Sequence, residues 1–273
     1  MNKLTISLLF FFNCLNLFFA ASTIKLIEPQ QPEVKEYELV DYGTIGPGNT
    51  FLVKIDPIVR NSKGDFLGQW DWAEITKLPE GWKADKSKIY GNPLVMEIIA
   101  PRDAEDGVYE LEIKLVDEKG QEKIGEEFVF GLQVKVDRKI LETKITQESK
   151  IFGANQPAKF YIEIKNLGNA KDVFILNIKG VKEWEVEKYI YIPPKESKNI
   201  VYEINSQTPG TYELKIEVKS TSSDRIFERK KIDFLVKTDV LSEYKAVNYG
   251  VILFPLTQLP MYAIAGLIGL LFP

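Results

Sequence analysis

Residues Gly107-Val108-Tyr109-Glu110-Leu111-Glu112-Ile113-Lys114-Leu115 return 103 residues later as Gly210-Thr211-Tyr212-Glu213-Leu214-Lys215-Ile216-Glu217-Val218. That spacing is about the length of one small β-sandwich domain, so a single β-rich module used twice is expected. In the first copy Tyr109, Leu111, Ile113 and Leu115 fall on one side of an extended chain, and Glu110, Glu112 and Lys114 on the other. This period of two predicts a half-buried strand.

The same alternation predicts strands over 51–55, 95–99, 128–136, 160–164, 173–178, 200–204 and 232–236. Clusters of Gly, Pro, Asn and Asp separate them, and no amphipathic helix intervenes. The expected fold class is therefore all-β, two tandem antiparallel sandwiches over 23–138 and 139–238. The repeat reaches beyond one strand: Trp82 and Trp184 precede Tyr109 and Tyr212 by 27 and 28 residues. Asp106-Gly107-Val108-Tyr109 resembles the tyrosine corner of immunoglobulin-type sandwiches, with Leu111 and Leu214 where the second Ig cysteine would stand. Aliphatic packing then takes the place of a disulfide. Residues 57–80 read as an insertion in the first module.

Two absences limit the chemistry. The chain has no His, which excludes His-dependent triads and the common His-based metal sites. Its one cysteine, Cys14, lies in the N-terminal apolar stretch, so a processed chain has neither thiol nor disulfide. No phosphate loop with Gly-Lys-Ser/Thr and no Asn-x-Ser/Thr sequon occurs. The formal net charge of −4, with Lys and Glu interleaved, offers no basic face for nucleic acid. No enzyme activity and no cofactor are expected. A hydrolase would have to rest on carboxylates alone, and nothing in the sequence marks a tuned pair.

Both ends are apolar. Lys3, the run Leu4 to Phe12 and the small exit Ala20-Ala21-Ser22 read as a signal peptide over 1–22, cleaved before Thr23. After a linker over 239–250, residues 251–273 carry no charge and form an expected membrane segment. Its apolar members include Val251, Leu253, Phe254, Leu256, Ile264, Leu267, Ile268, Leu270, Leu271 and Phe272. At ~1.5 Å per residue such a stretch reaches across a hydrocarbon core of ~30 Å. Pro255 and Pro260 interrupt its helix hydrogen bonding. The expected location is the extracytoplasmic face of the cell membrane, with the membrane and other envelope proteins as partners.

The most site-like stretch is Gly64-Asp65-Phe66-Leu67-Gly68-Gln69-Trp70-Asp71-Trp72-Ala73-Glu74. Trp70 and Trp72, at i and i+2 on a strand, would face the same side and could stack on a sugar ring, making glycans a candidate ligand. The alternative is that they cover the sandwich edge. Asp65, Asp71 and Glu74 are oxygen donors that match no established Ca²⁺ loop, which favours solvated surface charge.

The second module carries Gln156-Pro157-Ala158-Lys159-Phe160-Tyr161-Ile162-Glu163-Ile164-Lys165-Asn166-Leu167-Gly168-Asn169, then Gly180, Trp184, Ile192-Pro193-Pro194 and Pro209-Gly210-Thr211-Tyr212. This order resembles the CARDB-type and alpha-galactosidase-associated Ig-like domains of archaeal and bacterial surface proteins, over roughly residues 140–238. The resemblance implies a fold and a cell-surface location, and no activity.

Overall fold

The computed structural model describes residues 23–61, 63–118 and 124–238. The expected signal peptide over 1–22 and the expected membrane segment over 251–273 lie outside the described residues.

Within them the chain is all-β. Its first half forms β1 (Ile24–Glu28), β2 (Gln31–Val34), β3 (Leu39–Ile45), β4 (Thr50–Asp56), β5 (Ile58–Arg60), β6 (Phe66–Gln69), β7 (Trp72–Lys77), β8 (Lys83–Ala84), β9 (Leu94–Ile99), β10 (Gly107–Val116) and β11 (Glu127–Val136). Its second half forms β12 (Leu141–Gln147), β13 (Ile151–Gly153), β14 (Ala158–Asn166), β15 (Asp172–Lys179), β16 (Val186–Ile192), β17 (Ser197–Ile204), β18 (Gly210–Ser220) and β19 (Phe227–Lys237). One 3-10 turn, Lys182–Trp184, joins β15 to β16.

The first half builds a sheet in the order β2-β1-β4-β9-β8 and another in the order β3-β11-β10-β7, with β5-β6 as a separate hairpin. The second half builds β12-β14-β17 and β13-β19-β18-β15-β16. In both halves the last strand pairs antiparallel with the strand before it and parallel with an early strand, β3 on β11 and β13 on β19. The order β3-β11-β10-β7 thus recurs as β13-β19-β18-β15, and β7 is the counterpart of β15. Residues 57–80 are therefore not all insertion. The added piece is the β5-β6 hairpin, while β7 is a principal strand whose short alternation is obscured by the neighbouring Trp70 and Asp71.

Each half encloses its own apolar cluster. Trp70, Phe128, Phe130, Leu132 and Met96 fill the first. Phe160, Phe174, Leu214, Ile216 and Phe234 fill the second. Along β11 every second side chain is shut off from solvent, from Phe128 to Val136. Each such Phe, Leu or Val contributes about 1.5–3 kcal/mol by leaving water.

The repeated tryptophan and tyrosine form matching posts. Trp82 packs on Tyr109 with ring centres 5.3 Å apart, and Trp184 on Tyr212 at 5.0 Å. Each Tyr hydroxyl donates to the carbonyl four residues upstream, Glu105 at 3.0 Å and Thr208 at 2.8 Å. Leu111 and Leu214, two residues on, are buried. Both corners therefore close on a hydrogen bond and an aliphatic contact.

β10 starts beside the second half and runs away from it, whereas β18 ends beside the first half, at Ser220. The two halves are thus stacked end to end. With 10 residues in β10 and 11 in β18, at ~3.3 Å each, the stack is about 70 Å long. β1 begins at the far end of the first half, where Lys25 pairs with Asp56. The chain leaves β19 at the opposite pole, where Val236 pairs with Gly210.

Candidate functional site

A buried polar constellation lies where the halves meet. Its centre is Asp172, the first residue of β15, buried at 3% exposure. One carboxylate oxygen accepts from the Asn49 side-chain amide at 3.0 Å and from the Ser220 hydroxyl at 2.7 Å. The other accepts from the Ser222 hydroxyl at 2.9 Å and the Val173 N–H at 2.7 Å. Asn49, fully buried in the first half, uses its carbonyl oxygen to accept from Gly46 N–H at 2.7 Å. Four donors thus compensate a buried carboxylate, the condition under which such a charge is tolerated.

Further bonds widen the contact. Asn169 docks on β3: its backbone N–H donates to Thr44 O at 2.6 Å and its side-chain amide to Tyr42 O at 3.1 Å. The Ser223 hydroxyl donates to Arg102 O at 2.6 Å. Arg225 pairs with Glu105 at 3.1 Å. Ala170 packs into the core of the first half. Glycines permit the approach. At Gly48, with φ +72°, a Cβ would stand 2.1 Å from Ser222 O, and at Gly43, with φ +99°, 2.5 Å from the Asn169 amide nitrogen. At Gly48 a side chain would meet backbone of the other half, and at Gly43 it would displace the Asn169 side chain from β3.

This constellation is built to hold. Every polar group named in it has a partner, and both oxygens of the Asp172 carboxylate are taken up by donors that tie strands and halves together. Among the described residues no group of three or more His, Cys, Asp or Glu is placed to hold a metal ion.

The tryptophans singled out in the sequence do not form a two-ring platform. Trp70 follows the end of β6, is fully buried and packs on Phe128 with ring centres 6.1 Å apart. Trp72 opens β7 on the outer face and is half-buried, its ring covered by the Lys86 ammonium at 4.7 Å. The i, i+2 rule fails because no single strand spans the two: Trp70 and Asp71 lie in the connection from β6 to β7. The nearby acids are engaged separately. Asp65 accepts from the Asn61 side chain at 2.9 Å, and Asp71 from Glu118 N–H at 3.0 Å. Glu74 sits in a chain of alternating sign, Lys86–Glu74–Lys114–Glu127, with contacts of 2.6, 3.4 and 3.1 Å. Hydrogen bonding to Lys86, with Lys114 adding to it, holds the Glu74 carboxyl below the usual carboxylate range.

Among the described residues no helix is long and apolar enough to cross a membrane. The expected membrane residues Val251, Leu253, Phe254, Leu256, Ile264, Leu267, Ile268, Leu270, Leu271 and Phe272 all fall outside the described part.

No family model and no curated protein matches the chain. Among solved structures it is similar to the CARDB domain of a Pyrococcus furiosus protein, crystallised in complex with di-metal ions. The identity is 18%, with 36% of this chain and 94% of that chain covered, and the TM-score is 0.29. It is also similar to part of a beta-glucosidase from Listeria innocua, solved in complex with isofagomine. There the identity is 16%, with 36% of this chain and 16% of that chain covered, and the TM-score is 0.27. The chain thus matches about a sixth of the beta-glucosidase. At these scores neither likeness decides what this chain binds or does.

Proposed function

We propose that this protein is a non-enzymatic spacer of the cell envelope. Two tandem Ig-like modules, of the CARDB type that the sequence resembles, stand on the extracytoplasmic face of the membrane. The C-terminal apolar segment holds them there, after removal of a signal peptide. The far end of the first module is then presented to a partner in the envelope.

The observation that carries this reading is the junction around Asp172. A flexible tandem array would join its modules by a solvated linker. Here Asn49, Asn169, Asp172, Ser220 and Ser222 make the two halves one body. A rigid stack of about 70 Å suits a task of holding one end at a fixed height. The chain leaves β19 at the pole remote from β1, which suits an anchor at one end and contact at the other.

Two measurements test it. On cell fractionation the full chain is expected with membranes, and a chain ending at Asn248 in the soluble extracytoplasmic fraction. Identical behaviour of the two removes the anchor. Solution scattering of residues 23–238 is expected to give one rigid particle with a maximum dimension of about 70 Å. A broad distribution of inter-module distances removes the spacer.

A further inference from the structure

The outer faces of the two halves carry different charge patterns at matched positions. In the first half Lys77 of β7 stands opposite Glu112 of β10, which stands opposite Gly131 of β11. The corresponding row in the second half is Lys179 of β15, Lys215 of β18 and Lys231 of β19, each directly opposite the next. Three lysines abreast on adjacent strands lie within about 10 Å. Like charges facing each other across strands are destabilising, and the same fold solves this position with a Glu in its other copy. One carboxylate serves two of the three: Glu213 reaches Lys215 at 3.7 Å and Lys231 at 3.3 Å. Among the described residues no carboxylate lies within ion-pair distance of Lys179.

A hollow of about 250 Å³ lies on this face, lined by Lys179, Lys215, Lys231, Asn177, Glu217 and Arg229. It is smaller than the ~300–1,000 Å³ of pockets for drug-sized ligands, so it suits one ring of a polymer better than a cofactor. Phe227, two residues from Arg229 on the same face of β19, is 47% exposed, and the Arg229 guanidinium lies 4.8 Å from its ring centre. Four residues along β19 from Lys231, about 13 Å away, the exposed ring offers an apolar platform within reach of a polymer that lies on the lysine row.

We propose that the Lys179–Lys215–Lys231 row, with Phe227 farther along β19, binds an acidic polysaccharide through its uronate carboxylates. The carboxylates Glu213, Glu217 and Asp233 on the same face disfavour a densely charged phosphate chain and favour a polymer whose charges are spaced by neutral ring surface. The binding itself does not depend on the envelope-spacer reading, which supplies only the place where such a polymer would be met.

The test measures binding of polygalacturonate oligomers to the full chain by calorimetry, with neutral dextran, polyphosphate and anionic phospholipid vesicles in parallel. The expected result is binding of polygalacturonate that weakens with salt, no binding of dextran, and weaker binding of polyphosphate and vesicles. Lys215→Glu, which recreates the first half's arrangement, is expected to cut polygalacturonate affinity at least tenfold while leaving the melting temperature equal or higher. Phe227→Ala is expected to weaken polygalacturonate and leave polyphosphate unchanged. Unchanged affinity in Lys215→Glu overturns the site. Equal or tighter binding of polyphosphate or of the vesicles overturns the saccharide. Neither result bears on membrane fractionation or solution scattering, so this proposal and the spacer reading fail separately.

Discussion

The Asn49 side-chain amide and the Asp172 carboxylate, 3.0 Å apart, form a buried hydrogen bond at the centre of the contact between the two halves. Asp172 also orders Ser220 and Ser222, so its removal strands several donors at once. Each buried donor left without a partner costs about 1–3 kcal/mol. Asp172→Ala is therefore expected to destabilise by ~3 kcal/mol or more and to split one calorimetric unfolding transition into two. A single unsplit transition in the variant would show that the halves are coupled by something other than this network.

Gly48 gives an independent handle on the same contact. Its positive φ and the 2.1 Å approach of a Cβ to Ser222 O mean that alanine meets backbone, which cannot rotate away. Gly48→Ala is expected to open the junction while leaving both cores folded. Scattering should show wider inter-module distances, and limited proteolysis should cut between β11 and β12. Wild-type scattering and proteolysis in this variant would mean that the junction relaxes without opening.

The fold was legible in most of the longer segments whose side chains alternate, though not in β12, where Leu141 to Ile145 alternate as well. All nine segments predicted on that pattern are strands, β10 and β18 most plainly. The parallel partners β3 and β13 were not. Gly43 and a register shift break the pattern of β3, and β13 has three residues. β16 was missed because Val186, Glu187, Lys188 and Tyr189 are all exposed, so its sequence carries no inward period. The junction was illegible for a different reason. Gly43, Gly48, Asn49, Asn169, Asp172 and Ser222 read as ordinary loop and turn residues, and only the stacking of the halves brings them together. The lysine row was hidden likewise, since each lysine belongs to an unremarkable Lys/Glu alternation and only cross-strand register sets the three abreast.

The two tyrosine corners are expected to carry similar but unequal weight. Tyr109→Phe removes one hydrogen bond, to Glu105 O, and should cost about 1 kcal/mol in urea unfolding. Tyr212→Phe removes the bond to Thr208 O and a 3.1 Å contact with the Ser206 hydroxyl, and should cost more. The double variant should show the sum, because the two sites share no partner. A clearly larger loss would mean that the corners communicate through the junction.

Trp70 and Trp72 separate packing from surface roles. Trp70→Ala empties a fully buried site and should cost about 3–5 kcal/mol. Trp72→Ala removes a half-buried ring lying under Lys86 and should cost about 1 kcal/mol. Neither is expected to change polygalacturonate binding in protein that remains folded. Loss of that binding in folded Trp72→Ala would move the saccharide site to the first half.

Alkaline pH should weaken the fold through two buried phenols. Burial pushes the Tyr202 hydroxyl up to about 12 and raises that of Tyr42 further, with the charge of Glu28 adding to the latter. The fold holds the neutral phenol, whereas in the unfolded chain a tyrosine ionises near pH 10. The stability that depends on neutrality is thus fully present below pH 10 and is lost as pH rises from 10 through the folded value, because the unfolded state releases its proton first. Tyr202→Phe also gives up the hydrogen bond to Trp184 O, so its stability at pH 7 should fall. The diagnostic quantity is the slope between pH 10 and 12. It should be shallower in Tyr202→Phe and Tyr42→Phe than in the wild type, and shallowest in the double variant. Slopes equal to that of the wild type would place the alkaline sensitivity in other groups.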